Sequence, residues 1–71
     1  MQQIEHSIAE YLDALAKIHG QAYSGRTVVR HTGGADVVIA YPNGHKTIIN
    51  IGRLRLMTEH LRAQADFKQA A

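Results

Sequence analysis

Apolar residues in the first quarter of the chain recur at helical spacing. Ile4, Ile8, Leu12, Leu15 and Ile18 form one stripe, with Tyr11 beside it. The stripe predicts an amphipathic helix over residues 3–19 that buries one side. Ser7 and Glu10 match a capping box that would start the helix at Ser7; the inclusion of Ile4 in the stripe favours an earlier start. Gly20 supplies a C-terminal stop. Residues 20–25 lose the periodicity and read as a loop, with Tyr23 either anchored to the core or exposed as a contact.

The spacing then shortens. Residues 26–32 (RTVVRHT) read as a strand, and Gly33-Gly34 as a turn. Residues 37–51 hold the clearest local signal: two β-branched runs around Pro42-Asn43-Gly44. Asn43-Gly44 tolerates positive φ, which predicts a two-residue type I′ hairpin. Helical spacing returns over residues 53–69, where Leu54, Met57, Leu61 and Ala65 align, Leu56 and Phe67 lie off the stripe, and Asn50 is placed to cap. The tail from Lys68 has no cap and is expected to fray. Together these elements predict a single α+β domain over residues 1–71, ordered α-β-β-β-α, with a three-stranded antiparallel meander and two flanking helices.

Two-residue turns at both hairpins assign the sheet faces. One face receives Val29, Val38 and Ile49, with Thr27, Ala40, Thr47, His31, Asp36 and Ile51 around them. The other receives Val28, Ile39 and Ile48, framed by Arg26, Arg30, Tyr41, Lys46, Val37 and Asn50. Both centres are apolar, although a sheet with one wet face should alternate cleanly. Two arrangements are consistent with that pattern. Either both helices cover the first face and the charged one is a contact surface, or one helix covers each.

Composition sharpens this picture. The 71 residues include ten alanines, one phenylalanine, no tryptophan and no cysteine. A chain this short buries only about 60% of its unfolded surface, and no disulfide or thiolate–metal site can compensate. Oligomerisation, most simply a homodimer, is therefore expected to add stability by mass action. The formal charge of +2 and pI near 9.3 are mildly basic, below the cation density of a dedicated nucleic-acid tail. No apolar run is long enough for a membrane span. The polar start MQQIEH does not read as a signal peptide, so a cytoplasmic setting is expected.

Catalytic and cofactor chemistry is sparse. The five histidines, at positions 6, 19, 31, 45 and 60, show no zinc-ligand spacing, so no metal or cofactor is expected. His31 opposite Asp36 is the one pair suited to general acid–base chemistry. Arg53 and Arg55 open the last helix, where cations are disfavoured by roughly 0.3–1 kcal/mol each unless an anion such as phosphate meets them.

The order of elements, with Arg53 and Arg55 starting the last helix, resembles that of double-stranded-RNA-binding domains. That resemblance implies phosphate contacts at these arginines; the dense lysine motif of the family has no counterpart. Tyr41-Pro42-Asn43-Gly44, the following strand and Gly52-Arg53-Leu54 are similar to the HicA-type toxins, small RNA-cleaving proteins with the same element order. The histidine that follows the glycine-rich turn in that family is replaced here by Ala35-Asp36.

The expected function is a non-enzymatic protein-binding module, either a homodimer or an inhibitor or adaptor docked on a larger protein. Arg26, Val28, Arg30, Ile39, Tyr41, Lys46 and Ile48 would form its contact with an acidic partner. Chain size alone suggests a phage or mobile-element protein acting on host machinery. The alternative is a nucleic-acid-binding domain that contacts phosphates through Arg53, Arg55, Arg30 and Lys46.

Overall fold

A computed structural model describes the backbone of residues 2–70 and the side-chain environments of residues 4–67; the expected fraying of the tail lies outside the described side chains. Helix α1 spans Gln2–His19, α2 Gln21–Arg26, strand β1 Val28–Gly33, β2 Asp36–Ala40, β3 Lys46–Asn50 and helix α3 Ile51–Ala70. The sheet is antiparallel with the order β1-β2-β3. This is the expected small α+β domain with one additional short helix.

Helix α1 begins before the capping box. Ser7 is buried inside the helix rather than at its end, in a seam with Tyr11, Ala14 and Leu15. The apolar spacing therefore outweighs the local capping signal, because tertiary burial contributes more than one cap. Gly20, at φ +94°, ends α1 by donating its N–H to the Ala16 carbonyl (2.8 Å). Its own carbonyl accepts from the Ser24 N–H (3.1 Å), which opens α2 where a loop was expected. Ser24 fastens this turn to α1 by donating Oγ to the Leu12 carbonyl (2.6 Å). Six residues are too few to show a helical period, and tertiary bonds of this kind leave no local pattern.

Neither hairpin has the expected form. At the first, Gly33 pairs with Asp36, the turn runs through Gly34 and Ala35, and the register shifts between His31 and Gly33, leaving Thr32 as an extra residue. At the second, the Tyr41 N–H bonds the His45 carbonyl (2.8 Å) and the Gly44 N–H bonds the Tyr41 carbonyl (3.0 Å). The loop therefore has three residues, Pro42, Asn43 and Gly44, with Gly44 at φ +89°. Proline favours a type I turn here, and glycine supplies the left-handed residue that closes it.

Each correction displaces β2 by one residue, which turns its side chains over. Val29, Ile39 and Thr47 now align, as do His31, Val37 and Ile49, on the face toward the helices. Val28, Ala40 and Lys46 align on the other face, beside Arg30, Val38 and Ile48. Among the three strands, only β2 departs from the expected facing. The core is Tyr11 and Leu15 from α1, Val37 and Ile39 from β2, and Leu54 from α3. Both long helices thus cover the same face of the sheet.

Candidate functional site

The uncovered face is built from alternate residues of three strands. Val28 and Arg30 come from β1, Val38 and Ala40 from β2, and Lys46 and Ile48 from β3. Most of them, with Thr32, line a shallow hollow of about 420 Å³. Val28 is 47% exposed and Ile48 70%, whereas Val37 and Ile39, one residue away from Val38, are 0% exposed. Water therefore reaches an aliphatic row that none of the described residues covers. Such a patch with a charged rim has the chemistry of a contact surface.

The charges around the row are uneven. Arg30 and Lys46 stand beside the aliphatics, and neither forms an ion pair among the described residues. Asp36 lies at the turn end of the same face, opposite Asn50. The long stems of Arg30 and Lys46 can extend the apolar surface while their charged ends remain in water.

Several residues expected on this face lie elsewhere. Ile39 belongs to the core, because the displaced register turns it inward. Val38 occupies the expected position of Ile39, and only the bulge at Thr32 and the true length of the second loop could have identified it. Tyr41 faces the helices, where its hydroxyl bonds that of Tyr11 (3.0 Å). Burial and this bond push the Tyr11 phenol well above its ordinary value. Arg26 ends α2, off the sheet.

Asn50 serves as the cap expected of it: its Oδ1 accepts the Arg53 N–H (2.7 Å). Helix α3 begins at Ile51, earlier than expected, so Arg53 stands in its first turn and Arg55 at the start of its second. Arg55 lines a groove with Ser7, Glu10 and Arg62 between the two long helices. The four cations of the phosphate-binding reading are therefore divided between the sheet face and the helical layer. The expected His31–Asp36 pair is not formed. His31 stands across from Val37, and its Nε2–H donates to the Gly34 carbonyl (2.8 Å).

Among the described residues, no group of three His, Cys, Asp or Glu side chains could hold a metal, and no helix is long and apolar enough to cross a membrane. No protein-family model, curated protein or solved structure matches the chain.

Proposed function

We propose that this chain is a non-enzymatic protein-binding module whose uncovered sheet face receives an apolar segment of a partner with acidic flanks. The observation that carries this reading is the placement of both long helices on one side of the sheet, leaving Val28, Val38 and Ile48 beside Arg30 and Lys46. Burying the row removes aliphatic area from water, and the two cations favour and steer an acidic approach. Three strands of five or six residues present roughly 14 by 17 Å, far less than the ~800 Å² that each side of a standard interface contributes. The face therefore suits one helix or one extended segment as the centre of a contact. An inhibitor or adaptor acting on a larger cytoplasmic protein, in a phage or mobile-element setting, fits this size and chemistry.

Phosphate binding through Arg53, Arg55, Arg30 and Lys46 has less support, because these cations do not share one surface. The test begins with proteins retained from a lysate by the wild-type chain and lost by Ile48→Asp, each then purified and titrated into labelled chain. Amide shifts centred on β1, β2 and β3 support the reading. Equal affinity for wild type and Ile48→Asp, or shifts centred on Arg53 and Arg55, would reject it. A salt titration against duplex RNA and DNA tests the alternative, which requires binding at ~50 mM salt that weakens steeply as salt rises.

A further inference from the structure

Two helical stripes converge near the end of β2. Tyr11, Leu15 and His19 recur every four residues along α1, and Met57, His60, Leu61 and Gln64 share one side of α3. With Tyr23 of α2 and Tyr41, just after β2, they line an open pocket of about 240 Å³. Tyr11 and Leu15 are buried at its floor, while His19, His60 and Gln64 are exposed at its mouth.

The hydroxyl pair in this pocket has one proton to spare. Tyr11 Oη lies 3.0 Å from Tyr41 Oη, and each phenol carries a single O–H. Tyr11 is 1% exposed, and Tyr41 is its hydrogen-bond partner. A Tyr11 proton turned elsewhere would be buried without an acceptor, which costs more than a typical bond gains. Tyr11 therefore donates and Tyr41 accepts. The proton of Tyr41, a half-buried residue, then has no acceptor among the described residues. Accepting one bond polarises the Tyr41 hydroxyl and strengthens the bond it can donate. His45 stacks on the Tyr41 ring (6.1 Å between centroids), and its carbonyl accepts the Tyr41 N–H, so the donor is held in place.

The rest of the pocket defines what would accept that proton. Tyr23, which packs against His19 (5.0 Å between centroids), and the Met57 thioether offer flat and polarisable surfaces that favour an aromatic ring. An apolar cavity of roughly 150 Å³ accepts benzene, so this pocket has room for a ring with a short side chain. Among the described residues, no Asp, Glu, Lys or Arg lines it. Its polar groups are the Tyr41 O–H, the Gln64 amide and the imidazoles of His19 and His60, all able to donate. Nothing there would balance a cation. A carboxylate meets such donors in charge-assisted bonds, roughly twice as strong as neutral ones. We infer that this pocket binds a small aromatic carboxylate, its ring against Tyr23 and Met57 and its carboxylate on the Tyr41 O–H. The pocket lies on the helix-covered side of the sheet, opposite Val28, Val38 and Ile48. The inference therefore stands apart from the proposed sheet-face contact, and a failure of either leaves the other intact.

Indole-3-acetate titrated into labelled chain tests it. Amide shifts should centre on Tyr11, Tyr23, Tyr41, Met57 and Leu61 and saturate with a dissociation constant of about 1 mM. Tyr41→Phe keeps the ring and removes the donor, and should bind about tenfold more weakly. His60→Glu sets a like charge at the exposed mouth, where folding is not at stake, and should weaken binding about threefold. Neutral indole-3-acetamide should bind the wild type about tenfold more weakly than the acid does. Ile48→Asp, on the other side of the sheet, should bind the acid as the wild type does. No saturation below ~10 mM, shifts centred elsewhere, an amide as tight as the acid, a Tyr41→Phe or His60→Glu variant as tight as the wild type, or a loss in Ile48→Asp would overturn the inference.

Discussion

The two faces of the sheet are made of nearly the same residue types and have opposite fates. Toward the helices stand Val29, Val37, Ile39 and Ile49; toward water stand Val28, Val38, Ala40 and Ile48. Hydrophobicity alone does not decide which row becomes core. The decision lies in what the helices can cover and in the rims: Arg30 and Lys46 border one row, and Tyr41 borders the other. A cation can lie beside the uncovered row because its charge stays hydrated, whereas the same charge under two helices would lose that hydration.

The sharpest way to break this comparison is to place one charge on each face. Ile39→Asp puts a carboxylate at a position with 0% exposure, among Tyr11, Leu15 and Leu54. Truncation alone at such a site costs about 2–5 kcal/mol, and an unpaired buried charge adds to that, so a domain of this size should not fold. Ile48→Asp, at a residue 70% exposed, should shift stability by no more than about 0.5 kcal/mol. Urea unfolding of the two variants checks the contrast. A folded Ile39→Asp would mean that the register of β2 is wrong.

That register marks the boundary of what the sequence makes legible. The two long helices, the three strands, their order and the side-chain alternation of β1 and β3 follow from periodicity and turn residues, whereas α2 leaves no such signal. The facing of β2 does not, because it depends on a bulge at one turn and on loop length at the other. Pro42-Asn43-Gly44 supports a two-residue or a three-residue loop, and Gly33-Gly34 accommodates a bulge at Thr32 without any side-chain signature. One residue at each turn exchanges Ile39 for Val38 in the contact surface. The site was therefore legible as a row of aliphatics beside Arg30 and Lys46, with its central residue misassigned. Leu56 and Phe67 were legible as exceptions to a stripe, and their exposure follows from which side of α3 is buried.

A smaller effect probes the closure of the covered face. The Tyr11–Tyr41 hydroxyl bond ties α1 to the end of β2. Tyr11→Phe keeps the ring and removes the bond, at a cost of about 1 kcal/mol near neutral pH. The raised pKa of Tyr11 gives this residue a pH signature. In the folded state the phenol holds its proton to higher pH than in the unfolded chain, so its contribution is fully present below the unfolded value of ~10 and is lost as pH rises beyond it. Thermal melts between neutral and strongly alkaline pH should show the wild type losing its advantage over Tyr11→Phe. A constant difference across that range would show that the hydroxyl pair is not shielded from water.

The smallest effect separates Asn50 from the open face it borders. Its position in β3 matches that of Ile48, yet its Oδ1 is committed to the Arg53 N–H at the start of α3. Asn50→Ala leaves that donor without its cap and should cost about 1 kcal/mol, whereas Asn50→Gly should cost only a few tenths. Neither change should alter binding at the sheet face, since the amide is turned toward the helix. Denaturant midpoints for the two variants, read beside their affinity for a partner that distinguishes wild type from Ile48→Asp, resolve the point. If Asn50→Ala weakens partner binding while stability holds, the contact surface extends to the mouth of α3. The rim would then include Arg53, and the boundary between the open face and the helical layer would shift by one strand end.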